Sequence, residues 1–196
     1  MIGWIPSTLS AFLGATAGED ARRAIMAGAG FDPDIPFRLD ASYADAACRR
    51  MLDIACAHLG MTEEAAFAAF APYFLARTRE AFPGFFARRR DVRAFLLHQP
   101  EVHNTLAAGL REGDRRHVQA KFRVESTPEG ARMFYRSANR LAGLYAAVAR
   151  QVGEDCGQSV AVAFEAGTPA DPECVMAIAI AARPATVTPE AGRVAA

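Results

Sequence analysis

The feature that most constrains this chain is a change of period near residue 118. Upstream, apolar residues recur at helical spacing; from Val118 they alternate one by one. Val118, Ala120, Phe122 and Val124 are separated by Gln119, Lys121, Arg123 and Glu125, the pattern of a strand with one buried and one solvent face. Thr127-Pro128-Glu129-Gly130 makes a tight connection to a partner strand over Ala131 to Arg136. A helix from about Ala138 to Val152 follows, with Leu141, Leu144, Tyr145 and Val148 on one face. Two more strands, Ser159–Phe164 and Cys174–Ala181, complete a four-stranded antiparallel sheet. Helices first, then a sheet with one packed helix, predict an α+β architecture: an N-terminal helical lobe joined to a sheet lobe.

The helical part divides at its glycines and prolines. Leu9, Phe12 and Leu13 stripe a first helix that Gly14 and Gly18 should end, and a second runs from about Glu19 to Ala27, before Gly28-Ala29-Gly30. Phe31 to Leu39, with Pro33 and Pro36, reads as a loop. Ser42 is the expected N-cap of a third helix, striped by Ala46, Ala47, Met51, Ile54, Ala55 and Leu59 and closed by Gly60. Thr62, followed by Glu63 and Glu64, opens a fourth with its acids favourably placed against the helix dipole. Its stripe is Ala66, Phe67, Phe70 and Phe74, and Pro72 is expected to kink it. A further helical region runs from Pro83 to about Gly113, interrupted near Pro100.

Composition narrows the function classes. The 196 residues are 52% hydrophobic and 22% charged, with a formal net charge of +0. That balance excludes a disordered tail and a polycationic nucleic-acid binder. No apolar run approaches the ~20 residues of a membrane span, and Met1-Ile2-Gly3-Trp4 lacks a secretory layout. A cytoplasmic chain without nucleic-acid or membrane partners is expected. Cys48, Cys56, Cys156 and Cys174 are spaced neither for a zinc ribbon nor for a redox pair, so they should be free thiols. Cys48, Cys56 and His58 scatter around one helix, and Arg88-Arg89-Arg90 reads as a solvated basic turn or a docking patch. There is no P-loop, no GxSxG elbow and no converging acid–base pair, so no enzyme is expected. Residues 183–196 should form a loose tail.

One residue breaks an apolar stripe. Leu96, Gln99/Pro100, His103, Leu106 and Leu110 share a helix face, so His103 sits inward, seven residues from Leu96 and from Leu110. A buried imidazole without a partner costs about 1–3 kcal/mol. Either it bonds a backbone carbonyl, or it turns a neutral nitrogen to an apolar cavity and ligates iron, a geometry that suits haem. His98 and His117 lie off this stripe, and His58 ends a helix.

Several motifs together resemble the haem nitric oxide/oxygen binding (H-NOX) family, whose fold is shared with soluble guanylate cyclases. They are Met1-x-Gly3, Tyr73-Phe74, Phe82-Pro83-x-x-Phe86-Ala87-x-Arg89-Arg90, Phe95-Leu96 followed by Glu101-Val102-His103 on one helix, and Tyr135-x-Ser137 after a strand pair. The likeness covers about residues 1–182, read as one sensor domain with a helical lobe over about 1–60 and a haem-holding lobe over about 61–182. It implies haem b with His103 as the axial iron ligand.

By the same resemblance, Tyr135 and Ser137 would hold the haem carboxylates with an arginine. The family's arginine position is Asn139 here; either one residue is inserted and Arg140, next to it, takes the role, which is the expectation, or the charge-assisted contact is lost. The distal pocket is expected from Ile5, Phe74, Thr78, Leu144 and Tyr145. Some relatives place an oxygen-bonding tyrosine there; counting with the insertion gives Tyr145, and counting without it gives Leu144. Leu9 and Phe74 stand where supporting polar residues occur, which favours NO, with CO or O2 as further ligands. A proline usual after the axial helix is missing from Asp114-Arg115-Arg116-His117, and Pro100 is unexpected so close to His103.

The resemblance thus implies a non-enzymatic NO sensor, in which ligand binding weakens the bond to His103 and moves its helix. No output segment follows residue 182, so the expected partner is a separate protein such as a histidine kinase or a cyclic-di-GMP enzyme. The alternative is a degenerate, haem-less relative acting as an apolar-ligand or protein-interaction module.

Overall fold

The computed structural model describes residues 1–39, 41–87, 91–108 and 121–182. Four helices come first: α1 (Trp4–Ala17), α2 (Glu19–Gly28), α3 (Asp45–Leu59) and α4 (Glu63–Ala81). A short 3-10 turn, Pro83–Phe85, precedes α5 (Val92–Ala108). The sheet strands are β1 (Phe122–Ser126), β2 (Gly130–Arg136), β3 (Gln158–Ala166) and β4 (Glu173–Ala182), with α6 (Ala142–Asp155) between β2 and β3. The sheet is antiparallel throughout, in the order β1-β2-β4-β3. This is the expected α+β arrangement.

Local chemistry accounts for most boundaries. Gly14 does not stop α1; the helix continues to Gly18, whose φ of 87° turns the chain out of it. Thr62 caps α4 by accepting the Ala65 N–H at 3.2 Å, and Gly60 ends α3 with a left-handed φ of 62°. Pro72 leaves α4 unbroken, because it lies on the exposed face, where the carbonyl it cannot bond meets water. Ser42 does not cap α3; it forms an isolated bridge with Ile2, flanked by Gly3 N–H to the Ala41 carbonyl and Tyr43 N–H to the Met1 carbonyl. Pro100 does not interrupt α5, which runs through it as one helix. The proposed strand residues 118–120, His117, the 114–117 stretch, Arg88–Arg90 and the 183–196 tail lie outside the described residues.

Gly3 explains why the N-terminal segment can lie where it does. A Cβ there would stand 1.9 Å from the Arg38 carbonyl oxygen, so only glycine permits the approach. Packing then joins the two halves. One cluster of buried residues runs from Leu13, Ile25 and Met51 through Leu75 and Leu96 to Met133, Met176 and Ile178. Helix α6 packs against both α4 and β3, and α5 packs against β1, β2 and α6. No helix among the described residues is long and apolar enough to cross a membrane.

Candidate functional site

Between α1, α4, α5, α6 and the β1–β2 edge lies a cavity of about 140 Å³. Its wall is mostly apolar: Ile5, Phe74, Leu75, Phe82, Phe85, Phe86, Phe95, Val102, Leu106, Leu141, Leu144 and Val148. The polar groups on it are few, the composition of a site that takes an apolar body and fixes it at a few points.

Helix α5 carries His103 to this wall. The face that buries Leu96 against the core presents His103 two turns later, as the stripe predicts. Burial, reinforced by the nearby Lys121 charge, pushes its pKa down to about 4. The imidazole is therefore neutral at pH 7 and retains a lone pair, the form a metal requires. Its ring stands 4.3 Å from that of Phe122, and Phe122 in turn lies 5.5 Å from Tyr145 and 5.5 Å from Tyr135. His98, half-buried, has Nδ1 at 2.6 Å from Glu101 and is not part of the wall.

All five expected distal residues, Ile5, Phe74, Thr78, Leu144 and Tyr145, line the cavity. The Thr78 hydroxyl is engaged: it donates to the Phe74 carbonyl at 2.6 Å and accepts Trp4 Nε1–H at 3.1 Å. The Tyr145 hydroxyl is buried and has no hydrogen-bond partner among the described residues, and burial raises its pKa. Leu9, Leu144 and Phe67 line a second, smaller apolar gap behind the first.

The expected carboxylate-holding residues divide. Tyr135 is on the wall; its hydroxyl donates to Asn139 Oδ1 and accepts the Leu141 N–H at 2.8 Å, and burial pushes its pKa up to about 12. Ser137 is buried beside it, accepting the Asn139 N–H at 3.4 Å, but does not reach the wall. The structure puts Asn139, not Arg140, on the cavity wall. The cause is local: Arg140 takes a left-handed φ of 52°, which turns its side chain into solvent in the tight turn before α6.

Sequence reasoning missed Lys121. Strand alternation assigned it to the solvent face, yet it is buried and lines the cavity. It precedes β1, so the strand's alternation does not govern it; its backbone carbonyl accepts the Arg136 N–H at 2.9 Å. Gln99 and Phe122, also on the wall, were likewise unassigned, and only the helical spacing of Gln99 to His103 hinted at it. The four cysteines are free, and the described residues hold no group of three or more His, Cys, Asp or Glu side chains suited to a metal.

The residues present fit a haem: a neutral imidazole nitrogen, apolar walls, and a polar group at Tyr135, Asn139 and Lys121. A family model described as Haem-NO-binding matches residues 2–163. No curated protein matches the chain. Among solved structures, one offering structural insights into the molecular mechanism of H-NOX activation is 19% identical, with a TM-score of 0.74, covering 92% of this chain and 96% of that one. An oxygen-binding H-NOX domain related to soluble guanylate cyclases, solved as its oxygen complex, is 19% identical, with a TM-score of 0.71 over 92% and 94%. An Fe(II) unliganded H-NOX mutant from K. algicida is 15% identical, with a TM-score of 0.72 over 92% and 96%.

Proposed function

Because the chain belongs to the Haem-NO-binding family, we propose that it is a gas sensor in which His103 holds a haem iron and nitric oxide is the signal. The observation that supports this most is the neutral His103 imidazole on the wall of an apolar cavity shared by the helical and sheet halves. Tyr135 and Ser137 would lie toward the haem carboxylates. When bound, the haem supplies a ferrous iron with one face open to a diatomic gas.

The chain's own residues then set selectivity. Ile5, Phe74 and Leu144 offer a gas no hydrogen bond, and the Thr78 hydroxyl is already engaged. Such a wall favours NO and CO, which need no donor, over O2, which does. Tyr145 is the exception: its unpartnered buried hydroxyl favours O2 as a second reading. Output would pass along α5, which bears His103 on the cavity and Leu97, 41% exposed, on the surface. A separate chain, a histidine kinase or a cyclic-di-GMP enzyme, would read that surface from the cytoplasm.

One contact favours the haem-less alternative: the Phe122 ring lies against His103 and reaches toward Tyr145. Supplying haem to the purified chain and exposing the ferrous form to each gas separates the readings. The sensor reading expects spectral shifts with NO and CO and none with O2. A shift with O2 that Tyr145→Phe abolishes would transfer the assignment to oxygen, and a colourless protein would support the module.

A further inference from the structure

Lys121 is 9% exposed and forms part of the cavity wall. Among the described residues, its side chain has no hydrogen bond or ion pair. Burial of the side chain disfavours its charged form, so an anion that met the ammonium there would be strongly favoured. Among the described residues, the acid nearest in effect is already engaged. Asp45, the acid whose charge reaches Lys121, is held at 2.8 Å by the Met1 α-amine. That amine already contacts Asp45 and the Tyr43 carbonyl. Arg140 is exposed and off the wall, which leaves Lys121 as the one lysine or arginine side chain on it among the described residues.

Position adds a second argument. Phe122 pairs with Tyr135 across β1 and β2, so Lys121 stands opposite Arg136, one residue from Ser137. Tyr135 lines the same cavity, on the strand paired with the one that Lys121 leads into. Tyr135 and Asn139 add a phenol and an amide there, but no charge.

We propose that Lys121 is the cation that binds a carboxylate of the cavity's apolar ligand, at the end of the cavity walled by Tyr135 and Asn139. This rests on the haem reading for the identity of that ligand, and it assigns the charge-assisted contact to the lysine just before β1 rather than to Arg140. A lysine holds a carboxylate as a point charge, without the bidentate geometry of a guanidinium.

The test titrates the haem-free full chain with iron protoporphyrin IX and, separately, with its dimethyl ester, for wild type, Lys121→Met and Lys121→Arg. Wild type should prefer the diacid by ~10-fold or more, the scale of one charge-assisted hydrogen bond. Lys121→Met should lose that preference while keeping its affinity for the ester, and Lys121→Arg should retain it. The Soret position should be the same in all three, since the iron ligand is untouched. A diacid preference undiminished in Lys121→Met would overturn the assignment while leaving the haem reading intact. So would a wild type that binds both porphyrins equally, a result that needs no variant to fold. If wild type binds neither porphyrin, the haem reading fails and the assignment with it.

Discussion

Tyr145 carries a buried hydroxyl with no partner among the described residues, and burial keeps the His103 imidazole neutral. An unmade buried hydrogen bond costs about 1–3 kcal/mol. In the haem-free chain, Tyr145→Phe is therefore expected to raise stability by ~1–2 kcal/mol in urea unfolding; a loss would mean that the hydroxyl has a partner. His103 gives a pH dependence of definite sign. Its folded pKa of about 4 lies below the ordinary 6.5, so between those values the unfolded chain binds more protons. The haem-free protein should lose about 3 kcal/mol as pH falls from 6.5 to 4, at 1.36 kcal/mol per pKa unit. His103→Ala should flatten that slope. His103 was legible because a polar residue interrupted a long apolar stripe. Lys121 was not, since alternation read through the end of a strand puts it in water. Neither was the placement of Asn139 rather than Arg140 on the cavity wall, which follows from the left-handed turn at Arg140.

Among the elements, α5 tests the account best. Proline inside it removes the bond to the Leu96 carbonyl, yet the helix continues from Val92 to Ala108. Its packing against β1, β2 and α6 holds the helix together where propensity would break it. Pro100→Ala should stabilise the chain by ~1–3 kcal/mol in thermal or urea unfolding, up to the full cost of an interior proline. No gain would show that the Leu96 carbonyl is otherwise satisfied. At α4, Thr62→Ala should cost about 1 kcal/mol by removing the cap. Periodicity made these elements readable, and their ends were read less well. Ser42 looked like a cap but is used in a bridge to Ile2, a contact across the chain that local sequence does not record.

For the whole molecule, the order of elements was the most legible feature, because the switch from helical spacing to alternation admits few packings. What the sequence left open was where the N-terminal residues lie. Gly3 lets the first residues lie against Arg38, and Met1, Ile2 and Ile5 thereby become cavity wall. Gly3→Ala should destabilise the fold by ~1–3 kcal/mol, the scale of an overpacked contact, and weaken haem retention as well. A variant of unchanged stability would show that the Arg38 segment yields freely. At the whole-molecule scale the proposed sensor depends on one contact, that of His103 with iron. The most direct measurement is the absorption spectrum of the ferrous, haem-supplied protein beside that of His103→Ala. The wild type should show a Soret band that the substitution removes or shifts. An identical spectrum in the variant would contradict that contact.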